Sequence, residues 1–306
     1  MKNTKIETNT DKKKLIVIIG PTSSGKSDLA VDIAKKFNGE VISVDSRQVY
    51  KGLNIGSGKI TKAEMKGVKH YLLDVANPKS VFTAHDFVNK GNKAISDIIK
   101  KGKVPILAGG TGFYLSALLG EISLSSVTPN KKLRASLEKL SNKKLLEKLI
   151  KLDKERAQVI DPYNSHRIIR AIEIAKSIGK TTNHKEKSPY VTLKIGIRVE
   201  NSILEERINK RLIARLRKGM LAEAKNLHKK GLSWKRMESL GLEYRYMARH
   251  LKGEISKEEM IDTLKIKIRQ YAKRQRTWFK RDKEIKWFKL TETKKINKKV
   301  SNFLAS

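Results

Sequence analysis

Gly20-Pro-Thr-Ser-Ser-Gly-Lys-Ser27 has the spacing G-x-x-x-x-G-K-[ST]. The run Leu15–Ile19 before it is apolar and rich in β-branched residues, and SDLAVDIAKKF after it has helical periodicity. The motif therefore occupies a strand-to-helix turn, where backbone N–H groups converge on a helix N-terminus. Gly20, Pro21, Thr22, Ser23, Ser24 and Gly25 would form an anion cradle there. Lys26 would neutralise phosphate oxygens, and the Ser27 hydroxyl is placed to ligate Mg²⁺. The motif specifies phosphate without specifying the phosphate compound.

Asp45 closes a second apolar run, Glu40–Val44. It lies beside the cradle if the first two strands are neighbours, and a carboxylate there would face an acceptor group. DSRQ also resembles a helix capping box, and both roles can hold at once. Gly109-Gly-Thr-Gly112 follows a third run, Val104–Ala108, as a second glycine loop or a tight turn into the next helix. No typical Walker B carboxylate is evident; Leu72-Leu73-Asp74 is the nearest stretch. Arg207, Arg211 and Arg215 are spaced by four and share one helix face, suited to solvent or to an anion. His166, Arg167 and Arg170 form a smaller basic group. Tyr271–Lys289 interleaves eight basic with five aromatic residues, as RNA binding requires, although its Trp278 and Phe279 also fit a helix core.

The elements that must position these groups follow from pattern. Strand–loop–helix units in this order indicate a parallel sheet with ligands at the carboxyl ends of its strands. From Thr128 to Tyr190 only amphipathic helical patterns occur; VTLKIGIRV then returns as a strand, and IKWFKL is a last strand-like stretch. The expected fold is α/β, a P-loop (nucleotide-kinase-like) parallel-sheet core with a helical insertion domain and a basic helical C-terminal part. The expected divisions are a flexible tail over 1–13, a core of 14–127 and 191–306, and an insertion over 128–190.

Composition bounds the remaining choices. The 306 residues hold 68 Lys and Arg against 31 Asp and Glu, a net charge of +37. A general lysine bias accounts for some of this excess, yet 11 of the 17 arginines fall after residue 200, which suits a polyanion-binding surface. Absence of cysteine excludes disulfides, thiolate metal sites and cysteine nucleophiles. No apolar run is long enough to span a bilayer. These features point to a cytoplasmic protein without membrane contact, able to act as a monomer.

Taken together, GPTSSGKS, VDSRQVYKGLNIG, GGTGFYLSALL, HRIIRAIEI, the ERINKR helix, YRYMARHLKGEIS and AKRQRTWFK resemble, in order, the motifs of the tRNA dimethylallyltransferases (tRNA isopentenyltransferases), of bacterial type. The resemblance implies transfer of a dimethylallyl group from dimethylallyl diphosphate to N6 of adenosine 37, immediately 3′ of anticodons that read codons beginning with U. By position it implies diphosphate on the cradle, Mg²⁺ on Ser27 and Asp45 as general base. Ser46, Arg47 and Gln48 would surround the target base, with Thr111 nearby, and Arg207 or Arg211 would lie on the diphosphate. Contacts to the tRNA anticodon stem-loop would come from Arg134, from His166, Arg167, Ile168, Ile169 and Arg170, and from Tyr244 and Arg245. Lys273, Arg274, Gln275, Arg276, Thr277, Trp278, Phe279 and Lys280 would supply the rest. Leu240 and Glu243 depart from the family pattern, and an added carboxylate at Glu243 should weaken phosphate contact there. A small-molecule P-loop kinase, an adenylate isopentenyltransferase and a non-enzymatic RNA-binding protein are the competing readings.

Overall fold

The computed structural model describes residues 13–179 and 188–306. The chain divides into two compact units, one of residues 1–119 with 188–306 and one of residues 120–187. The tail expected over 1–13 lies outside the described residues except for Lys13, which is already in a strand.

The first unit begins β1 (Lys13–Ile19), α1 (Lys26–Lys36), β2 (Gly39–Val44), α2 (Lys62–Met65), β3 (His70–Tyr71), α3 (Ala84–Lys100), β4 (Val104–Gly109) and α4 (Gly112–Leu118). The second unit holds α5 (Lys131–Leu137), α6 (Asn142–Leu152), α7 (Lys154–Val159) and α8 (Ser165–Ile178). The first unit resumes with β5 (Tyr190–Ile197), α9 (Asn201–Arg217), α10 (Met220–Lys229), α11 (Trp234–Leu240) and α12 (Leu242–Leu251). It ends with α13 (Lys257–Phe279), β6 (Lys286–Phe288) and α14 (Thr293–Ala305).

Among the described residues six strands form one parallel sheet, in the order β3-β2-β4-β1-β5-β6. β1 reads as a continuous apolar run because it is covered on both faces. Leu15, Val17 and Ile19 pack into one core with α3, α9, α12 and α13, while Ile16 and Ile18 pack into a second with α1 and α14. Leu15 through Ile18 are fully buried, and each contributes about 1.5–3 kcal/mol.

β1 and β2 are not neighbours; β4 runs between them. The cradle and Asp45 still face one another because of how β4 ends. Gly109 pairs with Ile19 on one side and Val44 on the other, so Gly20 and Asp45 leave the sheet at the same level. A Cβ on Gly109 would lie 2.1 Å from the Val44 carbonyl oxygen. Glycine there keeps the sheet closed while leaving the space beyond it free of side chains.

The second unit is a small helical body with its own core of Leu137, Leu145, Leu149, Ile168, Ile169, Ala171 and Ile172. Its α8 is capped by Asn164, whose side chain accepts from the Arg167 N–H at 3.1 Å.

Candidate active site

The loop from Gly20 to Gly25 folds as the motif requires. Ser23 and Gly25 adopt left-handed backbone with φ 63° and 87°, the kind of conformation found in anion nests, and the Ser24 N–H closes the turn on the Pro21 carbonyl at 3.2 Å. Gly25 is the N-cap residue of α1. Lys26 Nζ donates to the Pro21 carbonyl at 3.2 Å, holding the amine over its own loop. Burial and then the adjacent Arg211 charge bring its pKa down to about 8, with Asp45 partly opposing them. An anion placed on the loop would add to the pull of Asp45 and raise it again. Ser27 lines the same cavity from the first turn of α1.

The three arginines of α9 have three different fates. Arg211 lines the cavity opposite Lys26 and donates to the Gly58 carbonyl at 3.0 Å. Its proton affinity is lowered by burial and by the Arg215 charge. Arg215 is committed to structure, donating to the carbonyls of Ile55 (2.7 Å) and Gly56 and to Glu243 (3.0 Å). Arg207 is exposed one turn earlier and does not line the cavity. Spacing left the first two equivalent; the fold brings Arg211 and not Arg207 to the cavity.

Asp45 enters the cavity from the end of β2. Its Oδ1 accepts from the N–H groups of Arg47 (2.7 Å) and Gln48 (3.2 Å). Half of the capping box expected of DSRQ thus forms, while the Gln48 side chain turns to Ser43 and Gly58, and the bonds close a turn over 46–49 rather than start a helix. The Ser46 N–H donates to Thr111 Oγ1 at 3.2 Å, tying this turn to the second glycine loop. Gln48 Nε2 approaches the Gly58 carbonyl at 3.4 Å. Asp74 is instead held by Lys59 at 2.5 Å and does not line the cavity.

The far wall comes from α13, which presents Tyr271 and, one turn later, Gln275. Gln275 is buried; its Oε1 accepts from the Thr22 N–H at 2.8 Å, and its Nε2 donates to the Gly110 carbonyl at 3.0 Å. It cross-links the two glycine loops and has no surface to offer RNA. Phe279 is likewise core, and Trp278 packs against Gly112. Arg276 is turned onto Val199 O and Asn201 Oδ1. Lys273, Arg274, Thr277 and Lys280 do face outward, at the i, i+1, i+4, i+7 spacing of one helix face.

Other expected RNA contacts are also redistributed. Tyr244 is buried, donating to Glu223 Oε1 at 2.8 Å. That carboxylate also accepts from the N–H groups of Asn54, Ile55 and Gly56, fixing the loop that reaches the cavity at Ser57 and Ile60. Arg245 is exposed. Leu240 is core, and Glu243 pairs inward with Arg215, so its charge is neutralised rather than presented to a phosphate.

Within the helical unit, Ile168 and Ile169 are core. Arg134 and Arg170 both donate to buried Glu173, at 2.7 and 2.5 Å. Burial alone would raise the Glu173 pKa, but the two arginines and the Asn130 N–H outweigh it and hold it at about 2. These two arginines are therefore not free cations, whereas His166 and Arg167 are exposed.

Three contributors were not singled out by sequence. Tyr271 lines the cavity from α13, where burial and the Asp45 charge raise its pKa. His70, whose Nδ1–H donates to the Val68 carbonyl (2.9 Å), borders the cavity from β3. Glu223 fixes the loop at 54–56. The i, i+4 relation of Tyr271 to Gln275 was a usable signal; His70 and Glu223 act through contacts distant in sequence. Among the described residues, no three His, Asp or Glu gather as a metal site. A single hydroxyl donor, Ser27, beside a phosphate cradle fits Mg²⁺, which keeps water and substrate phosphate as most of its ligands. No helix among the described residues is long and apolar enough to cross a membrane.

Comparison with known proteins bears on this arrangement. A family model described as IPP transferase matches residues 48–282. A tRNA dimethylallyltransferase of Halalkalibacterium halodurans is 40% identical over 308 residues, spanning 96% of this chain and 97% of its own. One from Staphylococcus epidermidis is 42% identical over 318 residues, spanning 96% and 95%. The solved full-length tRNA isopentenylpyrophosphate transferase of Bacillus halodurans matches with a TM-score of 0.74 at 36% identity, over 96% of this chain and 97% of that one. A eukaryotic dimethylallyltransferase solved acting on tRNA matches at 0.73 and 29% identity, over 87% and 70%.

Proposed function

The chain belongs to the IPP transferase family, and we propose that it moves a dimethylallyl group from dimethylallyl diphosphate to N6 of adenosine 37, 3′ of the anticodon, in tRNAs reading codons that begin with U. The observation that carries this reading is a single cavity lined by Asp45 together with Lys26, Ser27 and Arg211. An acceptor carboxylate thus shares the cavity with a cationic cradle. A kinase reading leaves the outward basic face of α13 without a use, and a binding-protein reading leaves the cradle without one.

The chemistry follows from charge. The lone pair of adenine N6 is delocalised into the ring, so the amine attacks carbon poorly. Asp45 accepts its proton as the N–C bond forms. The C–O bond to the diphosphate breaks with its electron pair on oxygen, and the developing charge is met by loop N–H groups, Lys26 and Arg211. Mg²⁺, bound through Ser27, would add positive charge to the same leaving group. The base must leave the anticodon-loop stack to reach Asp45. Lys273, Arg274, Thr277 and Lys280 on α13, and His166 and Arg167 on α8, supply the exposed groups for RNA phosphates. One chain contains all these groups, which supports a monomer acting in the cytoplasm, where tRNA is found.

Asp45→Asn tests the role directly. Turnover should fall by at least about a hundredfold, the scale of general-base catalysis, while stem-loop binding stays within twofold. Turnover at the parent rate would remove Asp45 from the mechanism.

A further inference from the structure

The proposed reaction defines a line across the end of the sheet. Displacement at carbon sets the attacking nitrogen, the carbon and the departing oxygen in a row. Asp45 follows β2, the cradle follows β1, and β4 ends between them at Gly109. The row therefore crosses the end of β4, and the rest of the allylic chain must leave it sideways.

On one side of that row the cavity extends between α1 and the sheet. Its first level is lined by small side chains. Ser43 and Ala108 are register partners on β2 and β4, and Ala30 lies one turn along α1 from Lys26. The second level is bulkier. Val41 stands two residues before Ser43 on the same face of β2, with His70 of β3 as its register partner, and both border the cavity. Val41 is buried in the core that α1 covers. Burial lowers the pKa of His70, so its ring is neutral near pH 7, and the bond from Nδ1–H to the Val68 carbonyl fixes its direction.

Length decides what this recess can take. The two residues from Ser43 to Val41 rise about 6.6 Å along the strand. A dimethylallyl group has three successive carbon–carbon bonds of about 1.5 Å each, which fit within the first level. A ten-carbon homologue has to pass the second.

We infer that Val41 and His70 are specificity-determining residues that close the recess after one five-carbon unit, so that the site takes dimethylallyl diphosphate and rejects geranyl diphosphate. This rests on the donor proposed above.

Titration calorimetry of the full chain with each donor reads the selection without turnover. The parent should bind dimethylallyl diphosphate at least about tenfold more tightly than geranyl diphosphate, the scale of forcing extra methylenes into a packed site. His70→Ala and Val41→Ala should each raise the geranyl-to-dimethylallyl affinity ratio by about tenfold; the ratio cancels any change in the cradle, which both donors share. Ala108→Val fills the first level instead, and should weaken dimethylallyl diphosphate by about tenfold relative to inorganic diphosphate. A ratio that rises in either His70→Ala or Val41→Ala supports the stop. A ratio unchanged in both overturns it, as do equal affinities of the parent for the two donors. Binding of dimethylallyl diphosphate that Ala108→Val leaves unaltered relative to inorganic diphosphate removes the chain from this recess. If the parent forms no prenylated nucleoside while the ratios change as stated, the transfer reading fails and the recess stands.

Discussion

Lys26 offers a quantitative test of the phosphate cradle. Its pKa is about 8 because burial and the Arg211 charge oppose its proton more than the Asp45 charge favours it. A diphosphate placed on the loop should return it to at least its ordinary value of 10.5. Binding should therefore take up about 0.1 proton at pH 7, about 0.5 at pH 8 and about 0.9 near pH 9. The Kd for dimethylallyl diphosphate should be level below pH 8 and weaken by about tenfold per pH unit between pH 8 and 10.5. The linkage also fixes the sign for the ligand-free fold. A lowered lysine pKa penalises folding wherever the unfolded chain is protonated, so ligand-free stability should rise from pH 8 to 10.5, by up to about 3 kcal/mol. Titration calorimetry at each pH in buffers of different ionisation heat reads the proton count. Subtracting the same titration of Lys26→Met removes protons that belong to the ligand. A difference near zero at pH 9, or one that peaks below pH 7, would refute the assignment of Lys26 as the cation that meets the diphosphate.

Two further outcomes follow from the charges. Glu173 has a pKa of about 2, below its ordinary 4.5, so its contribution is complete above pH 4.5 and is lost as pH falls toward 2. At pH 7, Glu173→Gln should lower the stability of the helical unit by about 1–3 kcal/mol, because the partly exposed Arg134 and Arg170 lose their shared carboxylate; circular-dichroism melts of variant and parent should converge near pH 2. Replacing exposed Lys273 and Arg274 together by Gln should weaken stem-loop binding and reduce the slope of log K against log salt by about 1.4, if each meets one phosphate; filter binding from 50 to 300 mM salt reads the slope, and an unchanged slope removes this face from the RNA surface.

What the sequence discloses depends on the range of the interaction. The cradle is local: glycine positions, a lysine and a hydroxyl at fixed offsets are enough, and the loop folds as the spacing demands. The sheet is legible as well, since continuous apolar runs buried on both faces separate helical patterns. Strand order is not local, and β4 displaced β2 from the side of β1. Asp45 keeps its place because Gly109 pairs with both flanking strands, a register invisible to composition. The basic stretches were read too broadly because positive charges were counted along the chain without their partners. Arg170 stands three residues before Glu173, a helical pair visible in sequence, and the periodicity of HRIIRAIEI already separates exposed His166 and Arg167 from buried Ile168 and Ile169. The hold of Glu223 on residues 54–56 spans more than 160 positions, and only the fold brings these groups together.

The most direct test of the central claim is to incubate the chain with dimethylallyl diphosphate, Mg²⁺ and an unmodified tRNA carrying A36-A37-A38, then digest the RNA and weigh its nucleosides. The account predicts N6-isopentenyladenosine at position 37 alone, and none with Asp45→Asn. Prenyl transfer only to free AMP or ADP, or phosphate transfer from ATP with no prenylated nucleoside, would contradict it.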